Sequence, residues 1–377
     1  MMRVAILLPR LDPGDAVGND ARGMLQVLMA SGIQCKIFAG SWSKGERPEP
    51  VRKLKRFLGS GDLLIFHHTV HWPEGEAAFC QSPARKILKY HNLTPAHFFA
   101  PYSKAYADAC ALARTSLKAL LESGVEKILC DSAFNLEDIV VEGANRSICE
   151  IVPPFHNIEQ REKIDADLSI VYERMRGETD FLILSVGRIV PNKAYEHLIE
   201  SFSVYQRAYG RGRLVLAGKQ DALVATYTRK LHDLIASRGL RNSVSMLDHV
   251  SESRLRALFL IADCYAVTSE HEGFCVPVIE AMRMKIPVVG SGETAVPETL
   301  GGSGLYWDEF DPHVIASAFQ YIANNKDTAD SLGEVGFQSF QDRFLTARIS
   351  EIFLKSIGRP TTSVVESGAS SVSEAGR

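Results

Sequence analysis

Two carboxylates eight residues apart, Glu272 and Glu280, and two cations five residues apart, Arg188 and Lys193, are the groups whose spacing suggests chemistry. The segment around the acids reads as strand, loop, helix, strand. Cys264–Ser269 is short and apolar, Glu270, His271 and Glu272 form a polar elbow, and Pro277 suits the first turn of a helix. Val278, Ile279, Ala281 and Met282 continue that helix, and Ile286–Val289 is the next strand. Open parallel sheets bind ligands beyond the carboxyl ends of their strands. Glu272 falls in such a loop, and Glu280 about one turn into the helix. The pair can face one crevice at a ribose-to-hexose separation. Between them, the N–H groups of Gly273, Phe274, Cys275 and Val276 open the helix, where a phosphate is well received. The alternative for either acid alone is a cap or a partner for the helix dipole.

The elements that must carry these groups follow from the rest of the chain. A length of 377 residues favours two domains. A net charge of −3, from 42 basic against 45 acidic residues, lacks the basic excess of a nucleic-acid binder. Seven cysteines without a C-x-x-C pair read as reduced core residues. No apolar run reaches the length of a membrane span, and Met1–Pro9 reads as a first strand rather than a signal peptide, so a cytoplasmic protein is expected. After that strand, Gly14 and Gly18 relax a loop through Asp20, followed by a helix from about Ala21 to Ser31. Such a loop can bring N–H groups against phosphate or sugar, which makes Gly18, Asn19 and Asp20 candidate site residues. Val51–Leu58 is an amphipathic helix with a tight basic face, either solvated or resting on anionic lipid.

Asp62–Phe66 is a strand ending in His67, His68 and His71, which lack further ligands at metal-site spacing, so no metal is expected. Arg85–Tyr90 ends in His91, which belongs either to the crevice or to a polar strand cap. A helical stretch (Ser103–Glu122), a strand (Lys127–Cys130), a capped helix start at Asp131–Asn135 and a strand (Ile148–Val152) complete a doubly wound parallel sheet. Pro153-Pro154 and the polar segment Asn157–Asp167 then read as an interdomain connection. The second half repeats the alternation, with strands at Phe181–Gly187, Arg213–Gly218 and Val244–Leu247 and closing helices at Ala316–Asn325 and Ser331–Ser356. The residues from Pro360, rich in Ser, Val, Glu, Gly and Ala, have the composition of a disordered tail.

The block E-G-F-x-x-P-x-x-E-A-M, carried by Glu272, Gly273, Phe274, Pro277, Glu280, Ala281 and Met282, resembles the donor-site signature of retaining glycosyltransferases of family 4. Pro287, Val288, Ser291, Pro297 and Glu298 extend it. Gly187, Arg188 and Lys193, about eighty residues earlier, resemble the second donor signature, G-R-x4-K. Cys275, Lys285 and Ala194 stand where the family usually has glycine. Tyr90-His-Asn-Leu-Thr-Pro95 resembles a subset acting on mannose-like sugars in bacterial surface polysaccharides.

The resemblance implies an α/β protein of the GT-B fold, two Rossmann-like domains facing a cleft. Residues 1–160 would take the acceptor, residues 161–335 the donor, and a helix within 336–359 would return to the first domain, leaving 360–377 as the tail. It further implies hexose transfer from a nucleotide diphosphate sugar, GDP-mannose in preference to a UDP-sugar, with retention and without a required cofactor or metal. Glu280 would bind ribose and Glu272 the donor sugar. Arg188 and Lys193 would hold the leaving diphosphate, by fork and by point charge. His91 would lie beside the reacting sugar, Gly18 and Asn19 near the donor phosphates, and His249 and Val250 at the base. The implied partner is a glycan or lipid-linked acceptor, with peripheral membrane contact through the first domain, and no nucleic acid. A sugar-nucleotide epimerase or a non-catalytic nucleotide-sugar binding protein of the same fold is the alternative.

Overall fold

The structure, a computed structural model, describes residues 2–177, 180–292 and 294–359. Its first sheet has seven parallel strands: β1 (Arg3–Leu11), β2 (Gln34–Trp42), β3 (Glu49–Pro50), β4 (Leu63–His68), β5 (Arg85–Tyr90), β6 (Val125–Cys130) and β7 (Cys149–Ile151), in the order β3-β2-β1-β4-β5-β6-β7. The second has six: β8 (Phe181–Val186), β9 (Gly212–Ala217), β10 (Val244–Leu247), β11 (Cys264–Val267), β12 (Val288–Ser291) and β13 (Leu305–Trp307), in the order β10-β9-β8-β11-β12-β13. Strands buried on both faces need unbroken apolar runs. Val4–Leu8 and Leu63–Phe66 supply them at the centre of the first sheet, each residue at most 1% exposed.

Both sheets reverse strand order once, between β1 and β4 and between β8 and β11. The reversal parts the loops beyond the strands and leaves a crevice for ligands. The loops at the second reversal are Gly187–Ala194 after β8 and Thr268–Cys275 after β11, which carry Arg188, Lys193 and Glu272. Those at the first reversal follow β1 and β4.

Several boundaries differ from the sequence reading. β1 runs on to Leu11, and the next helix is Ala16–Ala30, capped by the Asp15 carboxylate on the Gly18 N–H. Gly18, Asn19 and Asp20 therefore lie in the first turns of a helix rather than in a loop. Val51–Leu58 yields only a 3-10 turn and the four-residue helix Leu54–Phe57, because Pro50 and the break at Leu58 leave no room for more. The closing helix is two, Lys326–Arg343 and Thr346–Ser356. The second packs Ile349, Phe353 and Leu354 among Val4, Ile6 and Leu8 of the first sheet. The chain thus passes between the halves twice, side by side: His156 Nε2 lies 2.8 Å from the Phe344 carbonyl and the Thr346 N–H donates to Glu159 over 3.1 Å. The expected tail from Pro360 lies outside the described residues.

Candidate active site

At the second reversal Lys193 reaches across from the β8 loop to form an ion pair with Glu272 Oε1, which also accepts from Ser269 Oγ at 2.9 Å. Gly187 makes room for this: a Cβ there would stand 3.4 Å from Lys193 Cε and 3.0 Å from the Tyr195 hydroxyl. Burial alone would pull the Lys193 ammonium down, but the Glu272 carboxylate holds it above the ordinary lysine value. Asn192, which sequence reasoning did not single out, ties the two loops together. Its carbonyl accepts from the N–H groups of Glu270 and His271 at 3.0 and 3.2 Å, and its side-chain amide donates to the His271 carbonyl at 3.0 Å.

Arg188 is not part of this cluster. Its Nη2 donates to Asp221 and, over 2.9 Å, to the Tyr106 hydroxyl of the N-terminal half. Glu280 lies in the helix Val276–Arg283 and is buried, with Oε1 held 2.6 Å from Arg161 Nη1. Burial raises its pKa and Arg161 opposes the rise. The N–H groups of Phe274 and Cys275 take no hydrogen bond among the described residues and stand at the mouth of the same helix. Ala194, Cys275 and Lys285, at the three glycine-like positions, all have left-handed backbones, with φ of 46°, 73° and 57°. The turns are kept although the glycines are not. His249 is exposed with φ 49°, and Val250 is half-buried against the apolar cluster around β11 and the Val276–Arg283 helix.

At the first reversal His91 stands over a buried polar network. Its Nδ1 is 3.0 Å from Asp131, and its Nε2 is 2.8 Å from His67 Nδ1 and 3.6 Å from Asp20 Oδ2. Lys89, wholly buried, pairs with Asp131 at 2.6 Å, approaches Asp20 at 3.8 Å and donates to the Val152 carbonyl at 2.6 Å. Both ring nitrogens of His91 are thus engaged inside the N-terminal half. The three histidines after β4 do not converge: His68 faces the Ala113 carbonyl at 3.2 Å, His71 pairs with Glu76 at 3.1 Å, and His67 joins His91. Asp20, His67 and His91 do bring three possible ligand atoms within 4.8 Å of one another. The Lys89 ammonium beside Asp20 and Asp131 already provides the cation that these carboxylates need, and a divalent ion there would be repelled. Gly18 and Asn19 are likewise turned to structure: Gly18 N–H goes to Asp15 at 2.9 Å, and Asn19 Oδ1 accepts from Arg22 at 3.2 Å.

The halves meet directly at the Glu272 loop. Asn92, left-handed at φ 68°, bonds His271 through Oδ1 and Asn135 through Nδ2 at 2.9 Å. Ser132 Oγ donates to the Gly273 carbonyl at 2.8 Å. Glu298 accepts the Ala133 N–H at 2.8 Å, capping the helix Ala133–Val141 from the other half. A Cβ at Gly273 would come within 2.9 Å of Asn92, so this approach needs glycine.

Residues 173–339 match the profile of the family described as "Glycosyl transferases group 1". The chain is 25% identical over 334 residues to mannosylfructose-phosphate synthase of Agrobacterium fabrum, covering 82% of this chain and 72% of that protein. It is 26% identical over 175 residues to the O-antigen chain mannosyltransferase RfbU of Salmonella typhimurium, 44% of this chain and 47% of that one. This second match therefore spans under half of either protein. The fold superposes on HepE of Anabaena, solved with UDP and glucose, with a TM-score of 0.74 at 16% identity over 95% of this chain and 99% of that one. Two parallel Rossmann-like sheets give the chain the GT-B architecture of that structure, and its second half matches the group 1 glycosyltransferase domain, as expected of a hexosyltransferase.

Proposed function

We propose that the protein transfers a mannose-type hexose from GDP-mannose, with retention, to a glycan or lipid-linked acceptor of surface polysaccharide synthesis. The observation that carries the proposal is the Lys193–Glu272 pair, set at the β8/β11 reversal and facing the Asn92–His271 contact. In this reading an arriving diphosphate takes over Lys193, and Glu272 is released to the hydroxyls of the donor sugar. Departure of the sugar adds negative charge to the diphosphate, which Lys193 and the N–H groups of Phe274, Cys275 and Val276 stabilise by preorganisation, and Arg188 joins them by exchanging Asp221 and Tyr106 for phosphate oxygens. No metal ion is required for that charge balance. Glu280 takes the ribose, and the backbone at His249 and Val250 frames the base. Gly18 and Asn19 border the donor phosphates through the helix start. His91, with its ring nitrogens occupied, shapes the wall beside the sugar rather than lending a proton.

The mannose preference is supported by the relatives named as mannosyltransferases. A UDP-sugar donor is the second reading, favoured by the UDP bound in the HepE structure. The domain boundaries at about residues 160 and 335, a cytoplasmic location, and contact of the basic residues Arg52, Lys53, Lys55 and Arg56 with anionic lipid belong to the same proposal. No helix among the described residues is long and apolar enough to cross a membrane. The test is product formation from radiolabelled GDP-mannose, UDP-glucose and UDP-N-acetylglucosamine with membrane lipid acceptors. Transfer from GDP-mannose alone is expected. Transfer only from a UDP-sugar would replace the donor assignment, and donor hydrolysis or epimerisation without transfer would overturn the reaction.

A further inference from the structure

The interdomain connection, from which no binding role was expected, delivers one side chain into the donor site. Arg161, at the end of the short helix Ile158–Arg161, is 11% exposed and lies between two carboxylates. Its Nη1 is 2.6 Å from Glu280 Oε1 and its Nε is 2.5 Å from Glu252 Oε2. Glu252 begins the helix that follows the His249–Val250 loop, and its Oε1 lies 3.7 Å from the Cβ position of Gly14. Arg161 therefore spans the gap between the base loop and the ribose carboxylate. Ile158, one turn earlier, is buried in the apolar cluster around the Val276–Arg283 helix and anchors the segment there. The hydrogen bond of Glu280 to Arg161 uses Oε1, and Oε2 accepts no hydrogen bond among the described residues, which leaves it open to a ligand.

We infer that Arg161 is a positioning residue of the donor site, holding the Glu280 carboxylate ionised and turned so that Oε2 meets the ribose hydroxyls of a nucleoside diphosphate. The inference rests on the assignment of the ribose to Glu280. A carboxylate this buried loses its hydration and is driven toward the neutral acid, which donates one hydrogen bond where the anion accepts several. Two surroundings decide which form wins. Arg161 is the cation in contact. Glu252 faces it as a like charge, and the Arg283–Glu162 pair, closed at 2.7 Å, is neutral as a unit. Arg256 lines the same narrow crevice with Met284 and Phe259. Without Arg161, burial and Glu252 both push Glu280 toward protonation. Affinity for the nucleotide then falls as pH falls and returns as pH rises.

The test is calorimetric titration of the full chain with UDP and with GDP from about pH 6 to about pH 9, for wild type, Arg161→Gln, Arg161→Lys and Glu280→Gln. Comparing each variant with wild type at the same pH cancels the titration of the ligand's own phosphate. Arg161→Gln is expected to bind about tenfold more weakly at the acid end and to approach wild type at the alkaline end, a swing of about one pH unit in carboxylate ionisation. Arg161→Lys keeps the charge and should follow the wild-type profile, and it remains informative should the glutamine variant fold poorly. A constant ratio of Arg161→Gln to wild-type affinity across the pH range would overturn the inference. Wild-type affinity in Glu280→Gln, or no binding of either nucleotide to wild type, would instead remove the ribose assignment beneath it.

Discussion

The two crevices of this protein treat charge in opposite ways. At the first reversal Lys89, Asp20 and His67 are wholly buried and locked onto one another and onto Asp131 and His91. At the second, Lys193 and Glu272 keep 17% and 11% of their side-chain surface and Arg188 keeps 55%. A buried ion pair is held because breaking it strands a charge away from water. A pair at the lip of a crevice gives up its partner to an arriving ligand at little cost. The first arrangement suits a wall of fixed shape, the second a site that exchanges contacts during a reaction.

The contrast can be broken most forcefully at Lys89. Lys89→Met leaves Asp20 and Asp131 buried without their cation and should cost about 3–5 kcal/mol of stability by urea unfolding. Lys193→Ala should leave the unfolding midpoint nearly unchanged and lower kcat by roughly 10²–10³-fold. If Lys193→Ala unfolds the protein while Lys89→Met spares it, the assignment of fixed and exchangeable charges is reversed. Gly273→Ala is expected to part the halves at Asn92 and cost about 1–3 kcal/mol as an overpacked contact, with activity falling in step. Unaltered activity and stability there would show that the contact is dispensable.

The smallest effect is a pH dependence of the contact between halves. Burial lowers the His271 pKa from 6.5 to about 4. The folded form therefore favours neutral His271: its contribution is fully present above about pH 6.5 and is lost as pH falls toward about 4. Small-angle scattering across that window should show the halves separating in wild type, and His271→Gln should flatten the change. An equal change in both proteins would assign it elsewhere.

Much of this was legible in the sequence, because the fold depends on patterns that are local. Unbroken apolar strands alternating with helices give two parallel sheets, and the G-R-x4-K and E-x7-E motifs fall on the loops flanking one reversal. The first helix start was misplaced because Leu11 prolongs β1 and the real signal, Asp15 capping Gly18, lies between Gly14 and Gly18, a stretch whose glycines read as loop. Asn192 and Arg161 escaped because their partners are distant in the chain and their segments read as ordinary polar loop. The network under His91 joins residues 20, 67, 89, 91 and 131, which only the strand order β1-β4-β5-β6 brings together. One local hint existed: Lys89 interrupts an otherwise apolar strand end, where a lysine must find a carboxylate.

The two side-by-side passages of the chain, at His156–Glu159 and at Phe344–Thr346, put both covalent joins of the halves along a single edge, while Phe99, Tyr102 and Tyr106 add non-covalent packing on the second half. A body tied to another along one edge swings like a door. Slides and twists are resisted by the paired bonds, whereas rotation about that edge changes them little. The contact of Ser132 with Gly273 sits close to that edge, since the neighbouring Phe274 ring meets Phe344 with centroids 5.5 Å apart, so a few degrees of rotation displace it little, and displacement grows with distance from the edge. The covalent path thus prescribes the direction of motion, and the non-covalent contacts between the halves decide how long the door stays shut.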